Sequence, residues 1–420
     1  YGCGKQDGVE EGVIMNVLFL TMSSGLKNIE TSGIYTDLIR KFRDEGHEVY
    51  VVYPRERRLR LPTEVKHEGR VHLLGVKTLN VTKTNLIEKG LGQVTLERQF
   101  KLGLEKYFGK VKFDIILYST PPITFTKVIR YAKKRNPKAV SYLLLKDIFP
   151  QNAVDLGILT KDGLKGVLYR LFRKKEKDLY RISDYIGCMS PANVKYVIEH
   201  NPEIDPAVVE IAPNSYDIPS EISVEYGVTD HIRQKYGLPI NKPIFIYGGN
   251  MGKPQGIPFL IKCLEAVKDR IDSYFVIVGD GTEYSKLEAF MRERKPKAVS
   301  LFRRLPKDDY DQLVKVCDVG LIFLDYRFTI PNYPNRLLPY LMERKPIIAA
   351  TDPNCDIGVL AEENGYGVYC PSDSVETFVK AIDKMLVSDM RQMGENGYRF
   401  FLNNYTTEHT YKAIMKHIVK

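Results

Sequence analysis

The stretch NVLFLTMSSGLKNIETSGIYTDLIRKFRDEGHEVYVVY, residues 16–53, decides the fold class. Its apolar run at 17–20 is typical of a strand that is buried on both faces, and a polar loop follows. Apolar residues then recur at helical spacing as far as Phe42, Gly46 is placed to end that helix, and residues 49–52 return as a strand. This order predicts a βαβ unit, the start of a parallel sheet.

The same pattern recurs in the second half of the chain. Residues 244–247 predict a strand, residues 248–256 a glycine-rich loop, and residues 257–267 an amphipathic helix. Further strands are predicted at 274–278, 319–324 and 346–350. Two such series predict an α/β fold with two doubly wound, Rossmann-like domains.

The distribution of charge supports a division into two modules. Residues 1–200 hold 35 basic and 22 acidic side chains, whereas residues 201–420 hold 27 and 30. A basic half joined to a near-neutral half indicates that one module faces something anionic.

Proline residues cluster between the two series and predict the boundary there. We expect an N-terminal domain over 15–210, a C-terminal domain over 211–404, and a final helix at about 405–420 that packs back on the first domain. Residues 1–14 carry no apolar signal segment and are expected to be an added or upstream extension.

Composition excludes several classes of protein. With 44% hydrophobic and 27% charged residues, the chain is not of the disordered, collagen-like or disulfide-scaffold type. No apolar run reaches the roughly 18 residues that a membrane span needs. The six cysteines are scattered without metal-ligand spacing, so we expect a reducing cytoplasm, no metal and no disulfide. The absence of GxGxxG, and of an acid after the second strand, disfavours a nicotinamide-dependent dehydrogenase.

Two glycine-containing loops are candidates for binding a phosphate, because each precedes a predicted helix. Gly33 would let backbone N–H groups approach a phosphate, although a tight turn that needs a positive φ is the alternative. The loop over 248–256 has four glycines and Lys253, which suit a diphosphate, although such loops also serve as plain turns.

Two charged residues follow other predicted strands. Arg336 is placed to clamp a phosphate, or else is a solvated arginine at the start of a helix. Asp147, in LLLKDIFP at 143–150, is placed to act as a base or to orient a sugar hydroxyl, or else caps the next helix. None of the seven histidines is assigned a catalytic role.

Together these segments resemble the family-4 glycosyltransferases of the GT-B type. The resemblance is closest to the branch that builds polyprenyl-diphosphate-linked intermediates of O-antigen and capsule, and it covers nearly everything from Asn16 onward. The stretches that carry it include SGIYTDLIRKFRDEGHEVYVVYP (32–54), LKDIFPQNAVDLGIL (145–159), YGGNMGKPQGIPFLI (247–261), RRLPKDDYDQL (303–313) and NRLLPYLMERKPIIAA (335–350).

The resemblance implies two domains that face each other across a cleft, with a nucleotide-sugar donor held mainly by the second. It implies a catalytic role for Asp147 beside the donor sugar and the acceptor. Asn250 and Gln255 stand where many family members have Arg and Lys. The donor-binding residues that it implies are Gly33, Gly249, Asn250, Lys253, Gln255, Gly256, Arg304, Leu305, Asn335, Arg336 and Leu337.

One departure from the family concerns the ribose contact. The family has two spaced glutamates at the positions matched by Pro331 and Pro339, and the second of them contacts the ribose. Pro339 is sterically compatible with the start of a helix, because its missing N–H would be unpaired there.

The resemblance implies a retaining glycosyltransferase of the hexosyltransferase type, with UDP the favoured nucleotide, and the absence of a metal-binding motif in the donor loops predicts that it is metal-independent. Its nucleotide-sugar is a substrate, and no cofactor is expected. The acceptor would be a polyprenyl-diphosphate-linked or other membrane glycan in surface polysaccharide biosynthesis. The alternative is a non-catalytic nucleotide-sugar-binding partner or scaffold of another glycosyltransferase.

The basic half predicts peripheral attachment at the inner face of the cytoplasmic membrane. Residues 165–181 alternate seven Lys and Arg residues with apolar ones, a pattern typical of a helix that lies in an anionic lipid interface. A solvated helix packed on its own domain is the alternative. Nucleic acid is not expected as a partner, because no motif accompanies the charge.

Overall fold

A computed structural model describes residues 13–23, 26, 28–81, 86–218 and 228–418. These residues divide into two compact units. The first unit comprises the described residues up to 144, residues 175–186 and the segment from 411, and the second comprises 145–174 and 187–410. The domain boundary at residue 210 stays a prediction. Residues 1–12 of the expected extension, residues 219–227 beside the expected boundary and residues 419–420 of the final helix lie outside the described residues.

The first sheet is built around the βαβ unit at the start of the chain. Its strands are β1 Asn16–Leu20, β2 Glu48–Glu56, β3 Glu64–Glu68, β4 Val71–Thr78, β5 Ile115–Ser119, β6 Val140–Leu145, β7 Tyr185–Cys188 and β8 Val209–Ile211. Their order is β3-β4-β2-β1-β5-β6-β7-β8. The pairs β2–β4, β1–β2, β1–β5 and β5–β6 are parallel, whereas β3 pairs with β4 in the antiparallel sense.

The second sheet has the same parallel character. Its strands are β9 Ile244–Asn250, β10 Tyr274–Asp280, β11 Val299–Arg303, β12 Val319–Phe323, β13 Ile347–Thr351 and β14 Gly367–Pro371. Their order is β11-β10-β9-β12-β13-β14, and every neighbouring pair is parallel. The reversal of direction in the order beside β9 makes this a doubly wound sheet, as predicted.

Helices connect the strands in both sheets. In the first half of the chain they are α1 Thr36–Asp44, α2 Leu86–Phe108, α3 Thr126–Arg135, α4 Gln151–Asp155, α5 Gly163–Ile182 and α6 Pro191–His200. In the second half they are α7 Val228–Lys235, α8 Ile257–Val267, α9 Tyr284–Arg294, α10 Lys307–Val316, α11 Leu337–Met342, α12 Ile357–Glu363, α13 Val375–Leu386, α14 Met390–Asn404 and α15 Thr407–Met415.

The βαβ unit predicted at the start of the chain is confirmed. Helix α1 buries the apolar residues that the helical spacing had singled out, among them Leu38 and Phe42. Gly46 has a φ of 89°, a conformation that glycine adopts without steric cost, and its N–H donates to the carbonyl oxygen of Arg43. The helix therefore ends at the predicted position.

The core of the second unit lies on both faces of its sheet. Alternate residues of a strand point to opposite faces, so Ile246 and Val276 pack in one buried cluster and Phe245 and Phe275 in another. Burial on both faces explains why these strands read as continuous apolar runs rather than as alternating ones.

The C-terminal segment from residue 411 belongs to the first unit. Tyr411 Oη lies 2.9 Å from His47 Nε2, and the Tyr411 ring meets the Phe42 ring edge-on with the centroids 5.0 Å apart. Among the described residues, no helix combines the length and the apolar character that crossing a bilayer requires.

Candidate functional site

The glycine-rich loop starts within β9, an interior strand of the second sheet, and leads into α8. The strand runs to Asn250 rather than ending at residue 247 as predicted, because residues 248–250 still pair with β10. Gly249 has a φ of 123° and Gly256 a φ of 59°, values that residues with a side chain rarely adopt. A Cβ on Gly256 would lie 3.3 Å from the Cα of Asp325, and a Cβ on Gly249 would lie 3.6 Å from the guanidinium carbon of Arg336. The glycines therefore let the backbone approach both neighbours closely.

Asn250 and Gln255 hold this loop in shape. Gln255 is 9% exposed, and its Oε1 accepts hydrogen bonds from Asn250 Nδ2 at 3.0 Å and from the N–H of Gly252 at 3.1 Å. The two side chains that replace the family's Arg and Lys thus bind each other. Lys253, between them in sequence, is exposed and supplies the loop's positive charge.

Arg336 lies against the loop with one nitrogen unpaired. Its guanidinium carbon is 4.4 Å from the centroid of the Tyr247 ring, a cation–π contact. Its Nη1 is buried and has no hydrogen-bond partner within the described part of the chain. Leaving a buried donor unpaired costs about 1–3 kcal/mol, so this atom is well placed to meet an acceptor that a ligand supplies. The alternative of a solvated arginine is wrong.

Tyrosines that the sequence analysis missed surround this arginine. Tyr340 Oη accepts a hydrogen bond from the N–H of Gly248 and donates to the carbonyl oxygen of Ile246, both at 3.1 Å. A side chain on Gly248 would collide with Tyr310 Oη. Burial raises the pKa of Tyr310 to about 12, so the phenol stays neutral. Tyr247 had a sequence signal, because it ends the apolar run before two glycines, whereas Tyr310 and Tyr340 had none.

Asn335 and Leu337, the predicted donor-binding residues on either side of Arg336, have different environments. Asn335 is exposed, and its Oδ1 accepts a hydrogen bond from Asn214 Nδ2. Leu337 is fully buried in the core, and its N–H donates to the carbonyl oxygen of Pro334 at 3.2 Å. Pro339 is the third residue of α11, where its missing N–H removes no helical hydrogen bond.

Arg304 and Leu305 come directly after β11, one of the two edge strands of the second sheet. Arg304 is exposed, and Leu305 is half-buried against the core. They are therefore displaced from the loop after β9 by one intervening strand, β10.

Asp147 follows the end of β6 and is not a helix cap. Both of its carboxylate oxygens accept from Asn152 Nδ2, at 2.9 and 3.0 Å. The residue at the N-cap of α4 is Pro150, which makes no side-chain cap. Burial raises the pKa of Asp147 to about 6, although hydrogen bonds from the Ile148 backbone and from Asn152 oppose the rise. A carboxyl with such a pKa changes charge close to neutral pH, which suits acid–base work.

The helix after Asp147 packs on the loop that leads to Arg336. Asp155 Oδ2 accepts from the N–H of Thr329 at 2.9 Å, and Asp155 Oδ1 accepts from Thr329 Oγ1 at 2.9 Å. Ile148 packs with Phe328 and Ile330 in one buried cluster. The Asp147 segment and the 325–335 loop therefore form one packed surface within the second unit.

A second buried carboxyl, Asp352, was not singled out from the sequence. Its Oδ1 accepts from the N–H groups of Asn354 and Cys355, at 2.9 and 3.1 Å. Its Oδ2 is buried without a partner among the described residues. Burial raises the pKa of Asp352 to about 7, and the nearby charge of Asp155 adds to the rise.

Gly33 lies in the first unit, just before α1. Its φ is not positive, so the expectation of a tight turn that needs a positive φ is wrong. Its N–H donates to Asp37 Oδ1 at 2.7 Å, and Asp37 is buried and paired with Arg40. The amide that was predicted to meet a phosphate is thus occupied in this structure. No group of three or more His, Cys, Asp or Glu side chains that could hold a metal ion is found in the described ranges.

Comparison with known proteins gives the family that residues 228–400 match and the fold that the whole chain resembles. The family described as glycosyl transferases group 1 matches residues 228–400, so the chain carries a domain of this family. The predicted identity as a family-4-like glycosyltransferase enzyme is confirmed.

Two relatives and two solved structures are particularly informative. WbjE of Pseudomonas aeruginosa, described as a glycosyltransferase, is 25% identical over 77% of this chain and 78% of its own length. WcaI of Escherichia coli, described as a colanic acid biosynthesis glycosyl transferase, is 24% identical over 59% of this chain and 60% of its own.

The solved structures are more distant in sequence and show the fold. Sucrose-phosphate synthase from Thermosynechococcus elongatus has a TM-score of 0.73 and 14% identity, covering 96% of this chain and 98% of its own. Anabaena HepE in complex with UDP-glucose has a TM-score of 0.67 and 14% identity, covering 96% and 99%. The predicted GT-B fold class is confirmed.

Proposed function

We propose that this glycosyltransferase moves a sugar, with retention of anomeric configuration, from a UDP-sugar to a polyprenyl-diphosphate-linked glycan in surface polysaccharide biosynthesis. The observation that carries the donor part is Arg336, whose buried Nη1 lacks a partner among the described residues beside the glycine-rich loop. A diphosphate oxygen is an acceptor that would satisfy it.

The comparisons support the donor and the pathway in this proposal. The Anabaena HepE structure contains UDP-glucose, and the name of WcaI refers to colanic acid biosynthesis. The WbjE match covers 337 residues and the WcaI match 250 residues, and both are longer than the matched family region, residues 228–400. The similarity to these two relatives therefore includes residues outside that region.

The proposed reaction develops negative charge on the leaving diphosphate. As the bond from the sugar C1 to the diphosphate oxygen breaks, Arg336 and Lys253 supply fixed positive charge near the loop, so no metal is required. Preorganisation matters because donors that are already oriented need no rearrangement in the transition state. The Asn250–Gln255 hydrogen bond provides it by fixing the loop.

Asp147 is proposed to act on the acceptor side. Its pKa of about 6 leaves it mostly ionised at neutral pH, so it can accept a hydrogen bond from the acceptor hydroxyl and orient it toward C1. Asn152 donates to both carboxylate oxygens and fixes their direction. Asp155 and Thr329 connect this segment to the loop that leads to Arg336.

The membrane part of the proposal rests on α5. Val167 is 57% exposed and Leu171 is 51% exposed, although both are large apolar side chains. Lys165 and Arg170 are exposed on the same helix. An exposed apolar stripe flanked by cations fits insertion into the interface of an anionic bilayer, where each charge near the surface contributes about 1 kcal/mol.

A panel of nucleotide-sugars assayed with polyprenyl-diphosphate-sugar acceptors tests the reaction. We expect glycolipid product from a UDP-sugar, with the anomeric configuration of the donor preserved by NMR and little hydrolysis of the donor. UDP binding without product across the whole panel would refute transfer to this acceptor class and favour the non-catalytic alternative.

Flotation with liposomes tests the membrane surface. We expect Val167→Glu/Leu171→Glu to lose flotation with phosphatidylglycerol vesicles. The control is Ile271→Glu/Val387→Glu, which changes two even more exposed apolar residues, 84% and 88% exposed, outside α5. Equal flotation of the two double variants would contradict the assignment.

A further inference from the structure

A groove between α2 and α3 in the first unit is lined almost entirely by cations. Its volume is about 630 Å³. The lining residues, here called the cationic groove, are Lys101, Lys127, Arg130, Tyr131, Lys134 and Arg135. Five of the six are basic, and no carboxylate is among them.

Helix packing explains why these charges meet. Residues spaced three or four apart share a helix face, so Lys127, Arg130 and Lys134 follow one another along the exposed side of α3. The opposite side of α3, which includes Val128 and Ile129, is buried. Lys101 joins them from α2, which packs on the start of α3 through the stacked rings of Phe100 and Phe125, 5.3 Å apart.

The basic residues of the groove are only partly neutralised. Glu97 accepts from the N–H of Lys127, and its Oε2 lies 3.9 Å from Lys127 Nζ. Arg135 donates to the carbonyl oxygen of Gly109. Arg130 and Lys134 are exposed and stand four residues apart, a spacing at which like charges destabilise a helix. An anion in the groove would relieve that repulsion.

Tyr131 adds a directional donor to this charge. Lys101 Nζ lies 5.3 Å and the Arg135 guanidinium carbon 5.9 Å from the centroid of its ring. Its Oη is buried and close enough to Arg135 to accept a hydrogen bond from it, but no acceptor for its own proton is found among the residues that the structure describes. A hydroxyl that lies beside Arg135, on a ring that two cations contact, and that lacks an acceptor for its proton matches a ligand whose oxygens are negatively charged.

We propose that the cationic groove binds a phosphate-bearing anion. The ammonium and guanidinium groups of Lys101, Arg130 and Lys134 contact its oxygens, and Tyr131 Oη donates a hydrogen bond to one of them. Arginine forks and lysine point charges are the usual protein partners of phosphate. The site lies in the first unit, shares no residue with the glycine-rich loop and Arg336, and does not depend on the proposed transfer reaction.

Calorimetric titration of the full chain with inorganic pyrophosphate tests whether the cationic groove binds a soluble phosphate compound. We expect saturable binding that weakens tenfold or more in Arg130→Gln/Lys134→Gln. The double variant Lys77→Gln/Lys110→Gln removes two exposed charges from the same unit and should bind as the wild type does. The titrations are repeated in the Arg336→Ala background, where binding that depends on Arg130 and Lys134 should persist after any binding at the donor loop is lost.

Tyr131→Phe distinguishes a built site from diffuse attraction, because it changes no charge. We expect pyrophosphate to bind it about tenfold more weakly, the loss of one hydrogen bond to a charged group. Affinity equal to that of the wild type would overturn the proposal, and so would an equal loss of affinity in the Lys77/Lys110 control.

Vesicles of phosphatidylcholine, with and without phosphatidylglycerol, test whether the cationic groove binds the phosphate of a lipid headgroup. Binding to phosphatidylglycerol vesicles that requires Arg130 and Lys134, without pyrophosphate binding, would identify a lipid headgroup as the phosphate. Pyrophosphate binding without a groove-dependent vesicle signal would identify a soluble phosphate. If neither probe shows dependence on the groove residues, the proposal is wrong.

Discussion

Replacement of Arg336 by alanine should remove most of the donor-side catalysis and leave the protein folded. The substitution removes the cation–π contact between the guanidinium and the Tyr247 ring. Contacts of this kind contribute about 0.5–2 kcal/mol to the stability of the folded state. The same change removes a buried Nη1 that has no partner among the described residues, a cost of about 1–3 kcal/mol. The two effects oppose each other, so the net change in the free energy of unfolding should be small.

The effect on the reaction should be much larger. If Nη1 meets the diphosphate, the variant loses at least one charge-assisted hydrogen bond, about 1.5–3 kcal/mol of transition-state stabilisation. Since about 1.4 kcal/mol corresponds to a factor of ten, kcat/KM for the donor should fall roughly 10- to 150-fold. Arg336→Lys should give an intermediate value, because it keeps the charge but loses the planar fork.

The assay combines enzyme kinetics with one control for nucleotide binding and one for folding. Initial rates are measured with the preferred UDP-sugar, UDP affinity by calorimetry, and Tm by thermal unfolding. Arg292→Ala, an exposed arginine on α9 whose side chain is 75% exposed, is the matched control and should behave as the wild type. A folded Arg336→Ala variant with wild-type kcat/KM and wild-type UDP affinity would remove Arg336 from the donor site and refute the reasoning.

Three further predictions follow from buried groups in the second unit. Burial raises the pKa of Asp147 to about 6, so kcat/KM should rise as the pH passes through about 6. Asp147→Asn should abolish this rise. A pH profile that the substitution leaves unchanged would contradict the proposed role of Asp147. Asp352 has a folded-state pKa of about 7 against 3.8 for the unfolded group, so the folded state holds the proton more tightly and stability falls as pH rises from about 4 to 7. Asp352→Asn keeps an oxygen for the two backbone donors and should raise Tm at pH 8 but not at pH 4, as measured by calorimetry. Gly256→Ala places a Cβ on a residue with a φ of 59°, 3.3 Å from the Cα of Asp325. The free energy of unfolding, measured by urea titration, should fall by about 1–2 kcal/mol. An unchanged unfolding midpoint would show that the loop relaxes freely.

The elements that the sequence predicted well are those that local pattern determines. Helix α8 has the predicted bounds, because its apolar spacing lies between a glycine and the next strand. The strands β9 and β12 begin where their continuous apolar runs placed them, since burial on both faces leaves a signal in the sequence itself, although β9 extends to Asn250. The helix that was predicted to start near Arg336 is α11, Leu337–Met342, with Arg336 as its N-cap residue.

The candidate site was predicted only in part, because its environment comes from segments far apart in the chain. Arg336 was identified as a phosphate ligand, but the tyrosines around it come from β9, α10 and α11 and carry no common local pattern. The alternative that Gly33 forms a tight turn with a positive φ was wrong, and the hydrogen bond from its N–H to the buried Asp37 joins residues that the sequence does not mark as partners. The raised pKa of Asp352 depends wholly on tertiary burial, so nothing in the sequence marked it.

The amide pair formed by Asn250 and Gln255 has a consequence for how the protein responds to its medium. Salt screens attraction between charges but leaves a hydrogen bond between two neutral amides nearly untouched. The loop therefore keeps its conformation from dilute buffer to high ionic strength, and only the attraction of Lys253 and Arg336 for an anion weakens as salt is added. Ionic strength would thus change the occupancy of the loop without changing its shape, and salt titration of nucleotide affinity would report the charges alone.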